Sequence, residues 1–151
     1  MPGKVILDHI TIRSPETSQE YFDYYSFRWQ MLRQPWGVEK GSEQDELEDD
    51  AFHRIALHHD DIIACGRLHF SEPATAQIRY MAVSEDFQQQ GIGKLILLSL
   101  EDIAKKNQAN KLILNARESA IGFYEKQGYK IITETHTLFN TIKHFKMERC
   151  I

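Results

Sequence analysis

Cysteine is scarce in this chain. Cys65 and Cys150 are the only two, and they have neither metal nor redox spacing. A disulfide-built secreted scaffold is thereby excluded, and a reducing cytoplasmic setting is expected. Long apolar runs are missing too: none approaches the ~20 residues of a membrane span, so no membrane partner is expected. Nor is there an excess of positive charge. Lys and Arg number 18 against 22 Asp and Glu, a formal net charge of −4. That balance argues against nucleic acid gripped through its phosphates. Glycine and proline are few, at 8 and 4, and form no linker, repeat or low-complexity tract.

The composition that remains is ordinarily globular, with 42% hydrophobic and 26% charged residues. Residues 1–151 are read as one domain with a single substantial core. Met1-Pro2-Gly3-Lys4 leads into a strand and does not resemble a signal peptide.

Periodicity predicts the elements. Val5 to Ile12 reads as a strand, and Ser14-Pro15 as the N-cap and first position of a helix. Tyr21, Phe22, Tyr25, Trp29 and Leu32 recur at helical spacing until Pro35 and Gly37. Phe52 to His59 and Ile62 to Phe70 read as a hairpin, and Gln77 to Val83 as the next strand. A long helix is expected from Gly91 to about Asn107, with Ile92, Leu95, Ile96, Leu100, Ile103 and Ala104 buried and Glu101–Lys105 an exposed pair. Leu112 to Asn115 is wholly apolar, as expected of a parallel strand covered on both faces. A helix over Ser119 to Lys126, capped at Gly128, precedes a closing hairpin of Tyr129 to Thr133 and Ile142 to Arg149.

One junction points to chemistry. Met81-Ala82-Val83 ends an extended run, and Gln88-Gln89-Gln90-Gly91-Ile92-Gly93-Lys94 carries the chain into the long helix. A helix start presents unpaired N–H groups and partial positive charge to an anion, and glycine lets a phosphate approach the backbone. A nucleoside-triphosphate loop is ruled out, because Leu95 follows Gly93-Lys94 and Phe87 stands where its first glycine belongs. A dinucleotide fingerprint is ruled out by Ile96 in place of its third glycine.

The spacing Gln88-x-x-Gly91-x-Gly93 instead resembles the acyl-CoA pyrophosphate loop of the GNAT (Gcn5-related N-acetyltransferase) superfamily. A second block, from Asn115 through Ala120-Ile121-Gly122-Phe123-Tyr124 to Gly128-Tyr129, resembles that superfamily's last signature. Arg28, Gln34-Pro35-Trp36-Gly37, Gly41 to Glu46 and His53 are similar to a small bacterial branch, the acetyltransferase-like half of proteins that also carry a hot-dog thioesterase-like half.

The resemblance implies an α/β (α+β) mixed sheet of about six to seven mostly antiparallel strands with a splayed parallel pair and about four helices. It implies acetyl-CoA as cosubstrate and direct acetyl transfer to a primary amine of a small molecule or peptide. Met81, Ala82 and Val83 would contact pantetheine, and Gln88, Gln89, Gln90, Gly91, Ile92, Gly93 and Lys94 the pyrophosphate. Asn115, Phe123 and Tyr124 would complete the cofactor site. Tyr124 aligns with the tyrosine that protonates the departing sulfur. Tyr25, Arg28, Trp36, Arg79 and Phe139 fall on elements that build the acceptor cleft.

The base that deprotonates the amine is less determined. His53 has the most suitable type of side chain, with Glu46, Asp45 and Glu72 as alternatives. The run Glu43 to Asp50 carries six carboxylates, which would attract a cationic acceptor or simply be solvated. His58 and His59 are adjacent and not at ligand spacing, so no metal is expected. Two alternatives stay open, a non-catalytic acyl-CoA-sensing module and transfer from a longer acyl-CoA. A homodimer is compatible with the sequence but marked by no motif.

Overall fold

The computed structural model describes residues 9–151; the predicted strand's opening, residues 5–8, lies outside the described residues. The elements run β1 (Ile10–Arg13), α1 (Ser18–Leu32), β2 (Phe52–His58), β3 (Asp61–Glu72), β4 (Thr75–Val83), α2 (Ile92–Lys106), β5 (Lys111–Arg117), α3 (Ile121–Lys126), β6 (Lys130–Leu138) and β7 (Ile142–Cys150). Three α-helices are joined by short 3-10 turns, where about four helices are expected from the resemblance. All seven strands form one sheet in the order β1-β2-β3-β4-β5-β7-β6. Neighbours are antiparallel except β4 and β5, the pair that α2 connects. Among the described residues no helix is long and apolar enough to cross a membrane.

The main core lies on the α2 face. Ile92, Ile96, Leu97, Leu100, Ile103 and Ala104 are buried along α2 and pack on Ala56, Ala64, Leu68, Ala76, Ile78, Leu112 and Leu114. Each of the larger side chains stabilises by about 1.5–3 kcal/mol. Five of the six residues of the expected stripe are buried; Leu97 is fully buried, whereas Leu95 is only partly so. Glu101 is not an exposed partner of Lys105. It is buried, accepts a hydrogen bond from the Tyr129 hydroxyl at 2.8 Å and pairs with Arg149 at 2.9 Å. The exposed i,i+4 pair is Asp102–Lys106.

α1 covers the other face. Its cap is Thr17, whose hydroxyl accepts from the Glu20 amide at 3.1 Å, and not Ser14. Ser14 instead donates to the His53 carbonyl at 3.0 Å. The predicted aromatic stripe is also rotated: Tyr24 and Arg28 are the buried residues of α1, while Phe22 is 65% exposed. The helix meets a charged cluster on this face, so apolar periodicity misjudges which side turns inward. β5 is likewise not covered on both faces, since burial alternates along it.

Candidate active site

β4 and β5 pair only from Thr75–Lys111 to Ile78–Leu114. Beyond that point β4 stays with β3 as far as Val83, and β5 stays with β7 as far as Arg117. The two facing edges therefore diverge and leave a slot. Main-chain donors and acceptors on such edges want partners, and an extended ligand can supply them.

A bulge shapes the β4 side. Between the pairs Cys65–Ala82 and Arg67–Arg79, both Tyr80 and Met81 oppose the single residue Gly66. Tyr80 takes a left-handed φ of 58°, uncommon for a bulky residue. A Cβ on Gly66 would lie 2.7 Å from Met81 Sδ, 2.8 Å from Ile96 Cγ2 and 2.9 Å from Leu100 Cδ1, so only glycine fits beneath the bulge.

The phosphate-loop candidate stands where β4 leaves the sheet. Gln88 Nε2 donates to the Val83 carbonyl at 2.9 Å and ties the loop to the strand. Gln89 and Gly91 are left-handed, with φ of 62° and 85°, and Gly91 is the N-cap of α2. The Leu95 amide reaches back to Gly91 O at 3.1 Å, so the Ile92, Gly93 and Lys94 amides precede the first helical bond. Lys94 is exposed and joins no ion pair among the described residues. A Cβ on Gly93 would lie 3.5 Å from Val83 Cγ2 and 3.6 Å from Phe123 Cζ, which shows the strand end, helix start and α3 converging.

Tyr124 follows on α3, its ring 5.0 Å from Phe123 and 5.8 Å from Tyr129. Its ring is core, yet its hydroxyl has no hydrogen-bond partner among the described residues. Burial pushes that hydroxyl's pKa upward, against a smaller opposing effect of Arg117. Asn115 is exposed on β5 just past the last β4–β5 pair.

A charged cluster backs the slot on the α1 side. Arg28 and Arg67 each donate to Glu48 Oε2 at 2.8 Å. Arg67 also grips Asp45 in a bidentate pair at 2.6 and 3.0 Å, and Arg79 reaches Asp45 Oδ2 at 2.9 Å. The Tyr80 ring lies among the guanidiniums, 4.1 Å from Arg28, 4.5 Å from Arg79 and 4.9 Å from Arg67. Burial alone would raise the Asp45 carboxyl, but the Arg67 hydrogen bond, the Leu47 amide and the two arginine charges bring it down to about 2.

These placements sort the expected residues. Met81, Ala82, Val83, Gln88 to Lys94, Asn115, Phe123 and Tyr124 surround the slot and its open end. Trp36 stacks on Phe139 with ring centroids 5.4 Å apart, joining the loop after α1 to the β6–β7 turn. Arg79 lies on β4 just past Ile78, where the splay begins.

Others lie elsewhere. His53 is buried, sits on β2 and has both ring nitrogens engaged, Nδ1 accepting from Tyr24 Oη and Nε2 donating to Glu48 O, each at 2.8 Å. Burial lowers its pKa, so it is a neutral structural connector and not a free base. Arg28 is fully buried, its guanidinium held by Glu48 and the Glu43 carbonyl. Tyr25 packs on Tyr24 at 5.0 Å and opens on a cleft of about 320 Å³ with Tyr21, Glu48, Asp49, Ala51 and His53. That cleft lies over β2, two strands from the slot. Glu72 ends β3 beside Thr75, at the paired end of β4. Glu46 is exposed and makes no hydrogen bond among the described residues. Sequence reasoning missed Arg67 and Glu48; the signal was a strong cation, Arg67, in a run from Ile62 to Phe70 that is apolar but for it and His69.

A family model for the acetyltransferase (GNAT) family matches residues 15–129, which hold both the loop and the α3 block. The chain belongs to this family. Among GNAT relatives, the Bacillus subtilis uncharacterised N-acetyltransferase YjcF is 26% identical over 132 residues, covering 87% of this chain and 94% of that protein. The crystal structure of an acyl-CoA N-acyltransferase from Pseudomonas aeruginosa superposes with a TM-score of 0.78 at 20% identity, over 93% of this chain and 97% of that one. A GNAT family acetyltransferase from Elizabethkingia anophelis, solved with acetyl-CoA bound, gives a TM-score of 0.72 at 24% identity, over 95% and 99%. These likenesses establish the GNAT acyltransferase fold.

Proposed function

We propose that the chain is an acetyl-CoA-dependent N-acetyltransferase acting on a primary amine of a small molecule or peptide by direct attack within a ternary complex. The observation that carries this reading is the divergence of β4 from β5 beyond Ile78 and Leu114, directly beside the left-handed helix start at Gly91. The residues present fit the donor: open strand edges for an extended pantetheine arm, helix amides for a pyrophosphate, and a buried phenol beside them. Bound there, acetyl-CoA would supply an activated thioester.

The chain's own groups have three tasks. The Gln89 to Gly93 backbone and the Lys94 ammonium offset the pyrophosphate charge, helped by the α2 dipole. The backbone near Met81, bent by the bulge, offers an N–H to the developing oxyanion, and a positioned donor of this kind is worth roughly 3–4 kcal/mol. Tyr124 keeps its proton at Oη at neutral pH, because burial raises its pKa, and gives it to the departing sulfur.

The amine must arrive neutral, although its ordinary pKa is ~10. His53 is locked and Asp45 is held at about 2, so neither takes that proton. The proton passes to water at the open acceptor side of the slot. Arg79, Tyr80 and the Trp36–Phe139 stack line the approach of the acceptor.

An amine panel with acetyl-CoA, followed by free thiol release, tests the reading. Turnover with at least one amine supports it. Tight coenzyme A binding without turnover of any amine would convert the protein into a sensing module. Faster turnover with a medium-chain acyl-CoA would reassign the donor.

A further inference from the structure

We propose that His9, His58 and His59 form a three-imidazole site for a divalent transition cation of the zinc class. The site is independent of the acetyl-transfer reading and lies at the β2–β3 turn. Three ring nitrogens, one from each residue, lie within 4.8 Å of one another. The His58 and His59 ring centroids are 4.4 Å apart, and those of His9 and His59 are 5.3 Å apart.

Adjacent strand residues normally point to opposite faces, which is why His58-His59 looks unsuited to one ion. The structure removes that objection. His59 has a left-handed φ of 57°, which breaks the strand alternation and brings its ring round to its neighbour. β1 then delivers His9, because Ile10 pairs with His58 and places the preceding residue beside the turn.

The seven histidines divide by partner. His53, His69, His136 and His144 each have a ring nitrogen committed to a hydrogen bond. The ring nitrogens of His9, His58 and His59 have no hydrogen-bond partner among the described residues, and His9 and His59 are exposed. Their nitrogen lone pairs are thus free and accessible. Three imidazoles suit zinc, copper or nickel better than calcium or magnesium. A tetrahedral ion with zinc–nitrogen bonds of ~2.0–2.1 Å requires ligand atoms about 3.3 Å apart, so modest ring rotations close the site. Water takes the fourth position.

The test is calorimetric titration of the full chain with Zn²⁺ in a non-chelating buffer, with Co²⁺ absorption as a second readout. One ion per chain is expected, with a rise in Tm and the intense visible bands of tetrahedral cobalt. His9→Ala and His59→Asn should each weaken uptake more than ~10-fold, since a ligand is lost. Asparagine tolerates the left-handed backbone at 59. His144→Ala should leave uptake unchanged. Both ligand variants alter exposed rings, and their metal-free Tm should match that of the parent. Failure to bind Zn²⁺, equal binding by the His9→Ala/His59→Asn double variant, or loss of binding in His144→Ala would overturn the proposal.

Discussion

Arg28 and Arg67 share one oxygen: each guanidinium donates to Glu48 Oε2 at 2.8 Å. Both arginines are fully buried, and Asp45 is the only other carboxylate that either of them pairs with among the described residues. Glu48→Gln therefore leaves buried positive charge uncompensated. Urea unfolding should show a loss of about 3–5 kcal/mol, far above that of a surface substitution. A loss under about 1 kcal/mol would mean the cluster is solvated.

The same cluster predicts acid sensitivity. His53 has a lowered folded pKa, chiefly from burial, so the unfolded chain binds its proton more readily. Its contribution is complete above the ordinary imidazole pKa of about 6.5 and is lost as pH falls from there through the folded value. Asp45, brought from 3.8 to about 2, contributes above its unfolded value and loses that contribution as pH falls through about 2. Stability should therefore fall in two stages on acidification. His69 and His144, also lowered chiefly by burial, add to the upper stage, so His53→Gln should shrink it in urea titrations run at several pH values, and an unchanged profile would refute the assignment.

Tyr124→Phe removes a proton but keeps the ring among Phe123 and Tyr129. The kcat should fall by about 10²–10⁴ while coenzyme A affinity holds within a factor of about two. Equal losses in both would make Tyr124 a binding residue only.

Glycine changes separate shape from ligand approach. Gly66→Ala should cost about 1–3 kcal/mol, because its Cβ meets Met81, Ile96 and Leu100 inside 3.0 Å. Gly91→Val has open space but a φ of 85°, so strain of about 1–2 kcal/mol and weaker coenzyme A binding are expected together. Unaltered coenzyme A binding in Gly91→Val would remove the helix start from the donor site.

Phe139 and Asn140 both have positive φ, 53° and 60°, at the tip of the β6–β7 hairpin. Glycine is more at ease there than phenylalanine. Phe139→Gly should keep the turn, lose the Trp36 stack and raise acceptor KM several-fold with little change in the KM for acetyl-CoA. Equal changes in both constants would separate the hairpin tip from the acceptor side.

Membership of the acetyltransferase (GNAT) family is legible in the loop at Gln88–Gly93 and the block around Tyr124, because both are carried by short local spacing. Helix and strand identity followed from periodicity for the same reason. The α1 face was not legible: its inward side is Tyr24 and Arg28, and their partners Glu43, Glu48 and His53 come from distant loop and strand positions. Glu101 was misread because only the folded chain brings Tyr129 and Arg149 to it. The approach of the His59 ring to His58 is not legible either, because a positive φ cannot be anticipated from strand alternation.

The two thiols also differ in a useful way. Cys65 is fully buried, and its pKa is driven up to about 12 by that burial, whereas Cys150 is exposed at the end of β7. Its register partner is Lys111, at the end of β5 remote from the divergence. A maleimide dye would thus attach at a single point, and a fluorescence reporter could follow ligand uptake from a position that does not obstruct it.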